Sequence, residues 1–220
     1  MRLGIAKKFI LVYNIIYKKF NLRKAQIKMS KLRELIQFQS GSPQFRITET
    51  FELSAPVYVY YSQTDLTDDL AGILSSDINN KKVRTKDTVN TLMEGDLLFS
   101  LISGTATIVS KEHEGYLYTQ NYVKMMPDHI MDPRFLVYLI NENILIKKQF
   151  NAGLQGSQVI KYTLKQLKEI ELPKLPSVEK QRMIGEIYFK QLRLKALKKR
   201  VAELENIVRM EQLQEAMEDE

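Results

Sequence analysis

Chemistry in this chain would have to come from few residues. The sequence has no cysteine and two histidines, His113 and His129, which stand without a companion motif. Without cysteine there is no thiolate nucleophile, no disulfide and no cysteine-based zinc site. Each histidine reads as a surface or loop residue rather than a ligand or general base. Asp68 and Asp69 form a carboxylate pair, but in a polar stretch, where solvation is the simpler reading. The nine glycines include no G-x-G spacing, so no dinucleotide or S-adenosylmethionine loop of that kind is visible, nor a Walker phosphate loop. "DPRF" (Asp132 to Phe135) approaches the D-P-P-Y/F motif of amino-methyltransferases, yet Arg134 replaces the second proline. Asp132-Pro133 is instead a good helix start. Pro127-Asp128 could open a nuclease P-D…(D/E)-x-K site, but no such triplet follows. What remains is hydrogen-bonding chemistry. "GDLLFSLISGTATIV" (Gly95 to Val109) runs from a turn through an apolar strand, Leu97 to Ser100. It then enters a hydroxyl-rich bend at Ser103, Gly104, Thr105 and Thr107.

Charge is distributed unevenly around that bend. Residues 1–31 hold nine basic side chains and no acid, whereas the rest of the chain has 24 basic against 26 acidic groups. The net +7 therefore says little about the folded body. Within the body, residues 141–200 carry 14 basic against 5 acidic groups, and the last twenty carry 1 against 7. A basic stretch in a near-neutral body fits a phosphate groove; for charge alone, a solvated helix face is the simpler reading. The early run "KKFILVYNIIYKKF" looks like the front of a signal peptide, but no small-residue cleavage site follows. It is also too short to span a bilayer, which needs ~20 residues. Residues 1–28 are expected to be an appended, dispensable segment, and the protein to work in the cytoplasm, away from membranes.

The elements that must position these groups follow from pattern. "KLRELIQFQSG" mixes helical and extended spacing and closes at Gly41. "APVYVYYS" alternates and is a strand. Residues 63–80, rich in Asp, Thr and Ser, read as loop with at most a helical turn, and "YLYTQNYVKMMP" as a strand stopped by proline. From Asp132 a helix should carry Phe135, Leu136, Leu139, Ile140, Ile144 and Leu145 on one face. Thr163 should cap another helix that leads into a strand ending at Pro173 and Pro176. Beyond Pro176 the chain has no proline and a single glycine. There Ile187, Leu194, Val201 and Val208 fall seven apart, with Leu197 and Leu204 three residues after two of them. That is an a/d seam interrupted by Lys190 and Glu211. A helix of this length reaches roughly 60 Å, past a domain of 150 or so residues, so an arm with a partner is favoured over packing on the chain's own domain. The fold expected is an α/β (α+β) globular domain, residues 29–176, followed by a long C-terminal coiled-coil helix, residues 177–220.

Three stretches together resemble the specificity subunit of type I restriction–modification systems. They are "KLRELIQFQSG", "GDLLFSLISGTATIV…TQNYVKM…DPRFLVYLIN" and "GSQVIKYTLKQLKEIELPKLPSVEKQRMIGEI". The last is the most specific, because "LPKLPSVEKQRMI" resembles the family's P-L-P-P-L-x-E-Q-x-x-I, with Lys174 and Ser177 as mild departures. The resemblance implies a non-catalytic subunit whose target-recognition domain reads a few base pairs. Methyltransferase subunits that bind S-adenosylmethionine would dock on it, and a restriction subunit using ATP and Mg would join where present. On this view Ser103, Thr105, Thr107, Ser157 and Gln158 are candidates to touch base edges or phosphates, and Lys81, Lys82, Arg84 and Lys86 to neutralise phosphates. The alternative for the glycine bends is chain reversal alone. A full subunit of this family resembles two such domains, each with a helix, whereas this chain has one of each. The resemblance thus suggests pairing, with a second copy or a different half, through Ile187, Leu194, Leu197, Val201, Leu204 and Val208. The alternative function is a scaffold or competitor that occupies methyltransferase subunits without reading DNA.

Overall fold

The computed structural model describes residues 30–75, 80–152 and 162–218. Residues 1–28 lie outside them. The chain forms a mixed α/β head followed by one long helix. A single helical turn, α1 (Leu32–Leu35), leads directly into β1 (Ile36–Ser40), which resolves the mixed spacing of that segment. Gly41 follows because a Cβ there would sit 2.2 Å from the Thr119 carbonyl oxygen.

The head is built on a four-stranded antiparallel sheet. Its order is β1, β6 (Tyr122–Pro127), β4 (Leu97–Ser100), β5 (Ala106–Ile108). All of β4 is buried, so its apolar run needs no polar alternation. Leu97 and Phe99 enter the main core with α3 (Pro133–Glu142), α4 (Ile144–Ala152) and α5 (Leu164–Glu169). Leu98 faces a second cluster with Tyr61, Leu66 and Tyr122. A two-stranded antiparallel ribbon, β2 (Val57–Val59) and β3 (Lys82–Arg84), pairs Val57 with Arg84 and Val59 with Lys82. It joins the head through Tyr60, Val83 and Leu117.

Capping fixes the helix starts. Asp132 accepts from the Phe135 N–H with Pro133 at the first position, and Thr163 with Gln166 forms a capping box. Three expectations need correction. Residues 63–71 are not loop: Ser62 and Asp65 form a capping box that starts α2 (Gln63–Ala71), and left-handed Gly72 ends it. The helix from Asp132 breaks at Asn143, whose side-chain oxygen accepts from the Leu145 and Ile146 N–H groups. Phe135, Leu136, Leu139 and Ile140 are buried as expected, but the break turns Ile144 and Leu145 to solvent. The stretch before Pro173 forms an isolated bridge, Glu171 with Lys31, rather than a strand. Last comes α6 (Val178–Glu218), 41 residues, about 60 Å at ~1.5 Å per residue. Among the described residues no helix is long and apolar enough to cross a membrane.

Candidate nucleic-acid interface

The four cations expected to meet phosphate lie on or beside β3, and they divide. Lys81 and Lys82 are exposed; the Lys81 ammonium lies 5.5 Å from the centre of the Tyr60 ring. Arg84 is committed inward, its Nη1 donating to the carbonyls of Leu53 (2.8 Å) and Ala55 (3.2 Å). Lys86 pairs with Glu52. Arg84 is thus a strut for the 48–56 segment, which leaves Lys81 and Lys82 as the two of the four that are exposed and not committed to a carbonyl or carboxylate.

The hydroxyl bend sits elsewhere, between β4 and β5. Gly104 has φ +68°, and a Cβ there would meet the Tyr162 ring at 2.4 Å. The glycine both turns the chain and admits that ring, so chain reversal is one part of its role. Ser103 and Thr105 line a cleft of about 370 Å³ with Asn141, Lys147, Asn151 and Tyr188. Ser157 and Gln158 lie outside the described residues, but Asn151 and Tyr162, on either side of that segment, both line this cleft. Thr107 does not belong to a reading surface. It is fully buried in β5, and its hydroxyl makes no hydrogen bond.

The polar cluster inside the head is not apparent from sequence spacing. His113, expected at the surface, is buried, and so are Asp65, Asp68 and Asp69 of α2. His113 Nδ1 lies 2.7 Å from Asp69 Oδ1, and its Nε2 lies 3.3 Å from Asp65 Oδ1. The Tyr61 hydroxyl donates to Asp69 (2.6 Å), and Asn80 donates to Asp65. Burial alone would lower the His113 pKa, but the bonds to Asp65 and Asp69 outweigh it and push it up to about 9. The ring is therefore a cation at neutral pH. Burial works to raise the Asp65 pKa, and bonds from His113, Asn80 and Ser62 overcome it, holding the carboxyl down to about 2. Asp68 accepts from Ser75. These acids are structural. Among the described residues no group of three or more His, Asp or Glu is arranged to hold a metal. His129 is exposed, as expected.

The first turns of α6 dock on α3 through two buried residues, Gln181 and Gly185. Gln181 accepts from the Asp132 N–H (2.9 Å) and donates to the carbonyls of Ile130 (3.1 Å) and Pro176 (2.9 Å). A Cβ on Gly185 would lie 2.6 Å from Arg134 Cβ and 2.7 Å from the Phe135 nitrogen. Ile184, Tyr188 and Phe189 complete the docked face against the main core. Ile187, Leu194, Leu197, Val201, Leu204 and Val208 are all exposed, between 44% and 64%. At ~100° per residue that seam lies roughly opposite the docked face. The head therefore does not cover it.

The fold is thus a mixed α/β head carrying a projecting helix whose apolar stripe faces away from it. The chain belongs to the type I restriction modification DNA specificity domain family, whose pattern it matches over residues 17–206. Its fold is similar to that of the HsdS subunit from Thermoanaerobacter tengcongensis, at 18% identity and a TM-score of 0.50 over 79% of this chain. A structure of a type I restriction–modification system, described for its complex assembly and conformational transition, matches 84% of the chain at 18% identity and a TM-score of 0.53. The chain spans 39% and 43% of those two chains. No curated protein matches it.

Proposed function

We propose that this chain is the sequence-reading subunit of a type I restriction–modification system, working in the cytoplasm. In this reading it directs methyltransferase subunits, and a restriction subunit where one is present, to a bipartite DNA site. It performs no chemistry itself. S-adenosylmethionine belongs to the methyltransferase, and ATP with Mg to the restriction subunit. The observation that carries the reading is the α6 seam, exposed on the side away from the head, in a chain of the DNA specificity family. Lys81 and Lys82 supply phosphate contacts, which fix register without reading sequence. Ser103 and Thr105, at the cleft, supply candidate base contacts, and Ser157 and Gln158 are further candidates.

The seam supports pairing of two arms, from two copies or from two different halves. Residues 187–200 hold six cations and no acid, and residues 201–220 hold seven acids and one cation. Antiparallel overlap sets these blocks side by side, whereas parallel overlap stacks like on like. Heads at opposite ends of a ~60 Å rod stand under two turns of DNA apart, a turn being ~34–36 Å. Two copies then select identical inverted half-sites with unread pairs between them, and two different halves select an asymmetric site. Light scattering on the purified chain, with motif calling from methylome reads of a host expressing it beside its methyltransferase, tests this. A dimer with an inverted bipartite motif supports the homodimer. A monomer that directs methylation to one contiguous site refutes pairing. Methyltransferase capture without discrimination among duplexes makes the chain a scaffold or competitor instead.

A further inference from the structure

We propose that the turn at Glu52–Ala55 is an apolar wedge that inserts Phe51 and Leu53 between neighbouring base pairs of the bound duplex. The inference rests on the DNA-reading function above and assigns a reading element to residues outside the polar candidates. Phe51 is 97% exposed and Leu53 87%, the highest values among the large apolar side chains of the head. Leaving such side chains in water forgoes the stabilisation that burial would give them. A loose loop would fold them back onto the protein.

This one is braced. The Ala55 N–H closes the turn on the Glu52 carbonyl (3.0 Å), and the Arg84 guanidinium holds the Leu53 and Ala55 carbonyls from the ribbon side. The Thr50 N–H donates to the Arg84 carbonyl (2.9 Å), and the Thr85 hydroxyl donates to the Thr48 carbonyl (2.8 Å). Lys86 pairs with Glu52. The segment is tied to β3 along its length, so the two side chains are presented rather than free to collapse. A preorganised apolar tip loses little freedom on binding.

The surroundings select DNA as the occupant. Lys82 stands two residues from Arg84 on the same strand, about 7 Å at ~3.3 Å per residue. Lys82 thus offers an open cation on the strand that braces the tip. Arg46, exposed near the same turn, and Lys81 add positive charge. Of the acids here, Glu52 is neutralised by Lys86, while Glu49 and Asp87, which accepts from the Thr48 N–H, keep their charge against Lys81, Lys82 and Arg46. Phe and Leu are the side-chain types that unstack and kink duplexes when driven into a step, at a cost of a few kcal/mol. Pyrimidine–purine steps open most easily, so the wedged step should be TA or CA.

The test uses the full chain with its methyltransferase and the duplex enriched from a pool of random-centred duplexes. That duplex is made with 2-aminopurine at successive positions and with a dye pair on its ends. The wild type should raise fluorescence at one pyrimidine–purine step per half-site and shorten the end-to-end distance. Phe51→Ala with Leu53→Ala should abolish both signals and weaken binding by about tenfold or more. The salt slope should not change, because an apolar tip releases no counterions. Equal fluorescence and bending in wild type and variant, with sequence selection retained, overturns the wedge and leaves DNA reading intact. Loss of methyltransferase co-elution with an unchanged DNA signal overturns it too, assigning the tip to a protein contact. If the wild type enriches no sequence at all, DNA reading fails and the wedge fails with it.

Discussion

Gly185→Ala adds one methyl to the joint between α6 and α3, where the new carbon would lie 2.6 Å from Arg134 Cβ and 2.7 Å from the Phe135 nitrogen. Non-bonded carbons rest ~3.5–4.0 Å apart, so the helices must separate by about 1 Å, and the Phe135 backbone cannot swing aside. Overpacking of this kind costs about 1–3 kcal/mol. The same shift stretches the three bonds of Gln181, now 2.9–3.1 Å, past the length at which they hold, at about 1 kcal/mol each. Against this, Ala for Gly inside a helix returns about 1 kcal/mol. The balance is a loss of about 3–5 kcal/mol. Guanidinium unfolding followed by tyrosine fluorescence reads it, since the chain has eleven tyrosines and no tryptophan. A variant as stable as the wild type, or more stable by the ~1 kcal/mol that helix propensity alone supplies, refutes the close contact.

Replacing Lys81 and Lys82 with alanine should weaken binding to all sequences alike and flatten the salt slope by about 1 per lysine. Arg84→Ala should leave the slope unchanged and speed amide exchange in residues 48–56. Leu197→Asp should abolish self-association or methyltransferase binding in light scattering while head stability moves by less than about 0.5 kcal/mol, because the seam is exposed. Unfolding of the whole protein would show that the arm packs on its own head. His113 is a raised-pKa histidine, so its contribution is full below the unfolded value near 6.5 and is lost as pH climbs through about 9. Asp65 is lowered to about 2, so its contribution holds above about 4 and is lost as pH falls towards 2. Melting of wild type and His113→Gln at pH 6 and pH 9.5 should show the difference between them shrinking at the higher pH, and an unchanged difference excludes a charged ring.

Features signalled by local chemistry were legible in the sequence. Asp132-Pro133, Thr163 and the heptad seam each announce themselves within a few residues, and the structure shows the matching helices. The helix at Gln63–Ala71 was missed because its composition is polar, although Ser62 and Asp65 form an S-x-x-D start signal. Its acids looked solvated because their partner, His113, lies more than forty residues away. The same distance problem hid Arg84, whose carbonyl partners lie 29 and 31 residues upstream, and Thr107, whose burial depends on α2 and the sheet. Charge can be counted from a sequence. Which charges are already spoken for depends on pairings that only folding makes.

Much of the joint is written in main-chain atoms. Gln181 bonds one N–H and two carbonyls, and Gly185 is hemmed in by backbone and by a Cβ that every residue but glycine carries. Ile184 and Phe189 rest on apolar bulk, whereas the Tyr188 hydroxyl donates to Glu142 (3.1 Å) and its ring meets Tyr138 edge-on. The socket therefore prescribes a path for the chain at residues 130–135 and side chains on one face of α3, and makes few demands on the rest of the head. A differently lettered head that follows the same path can be seated on this arm without disturbing the stripe on its far side.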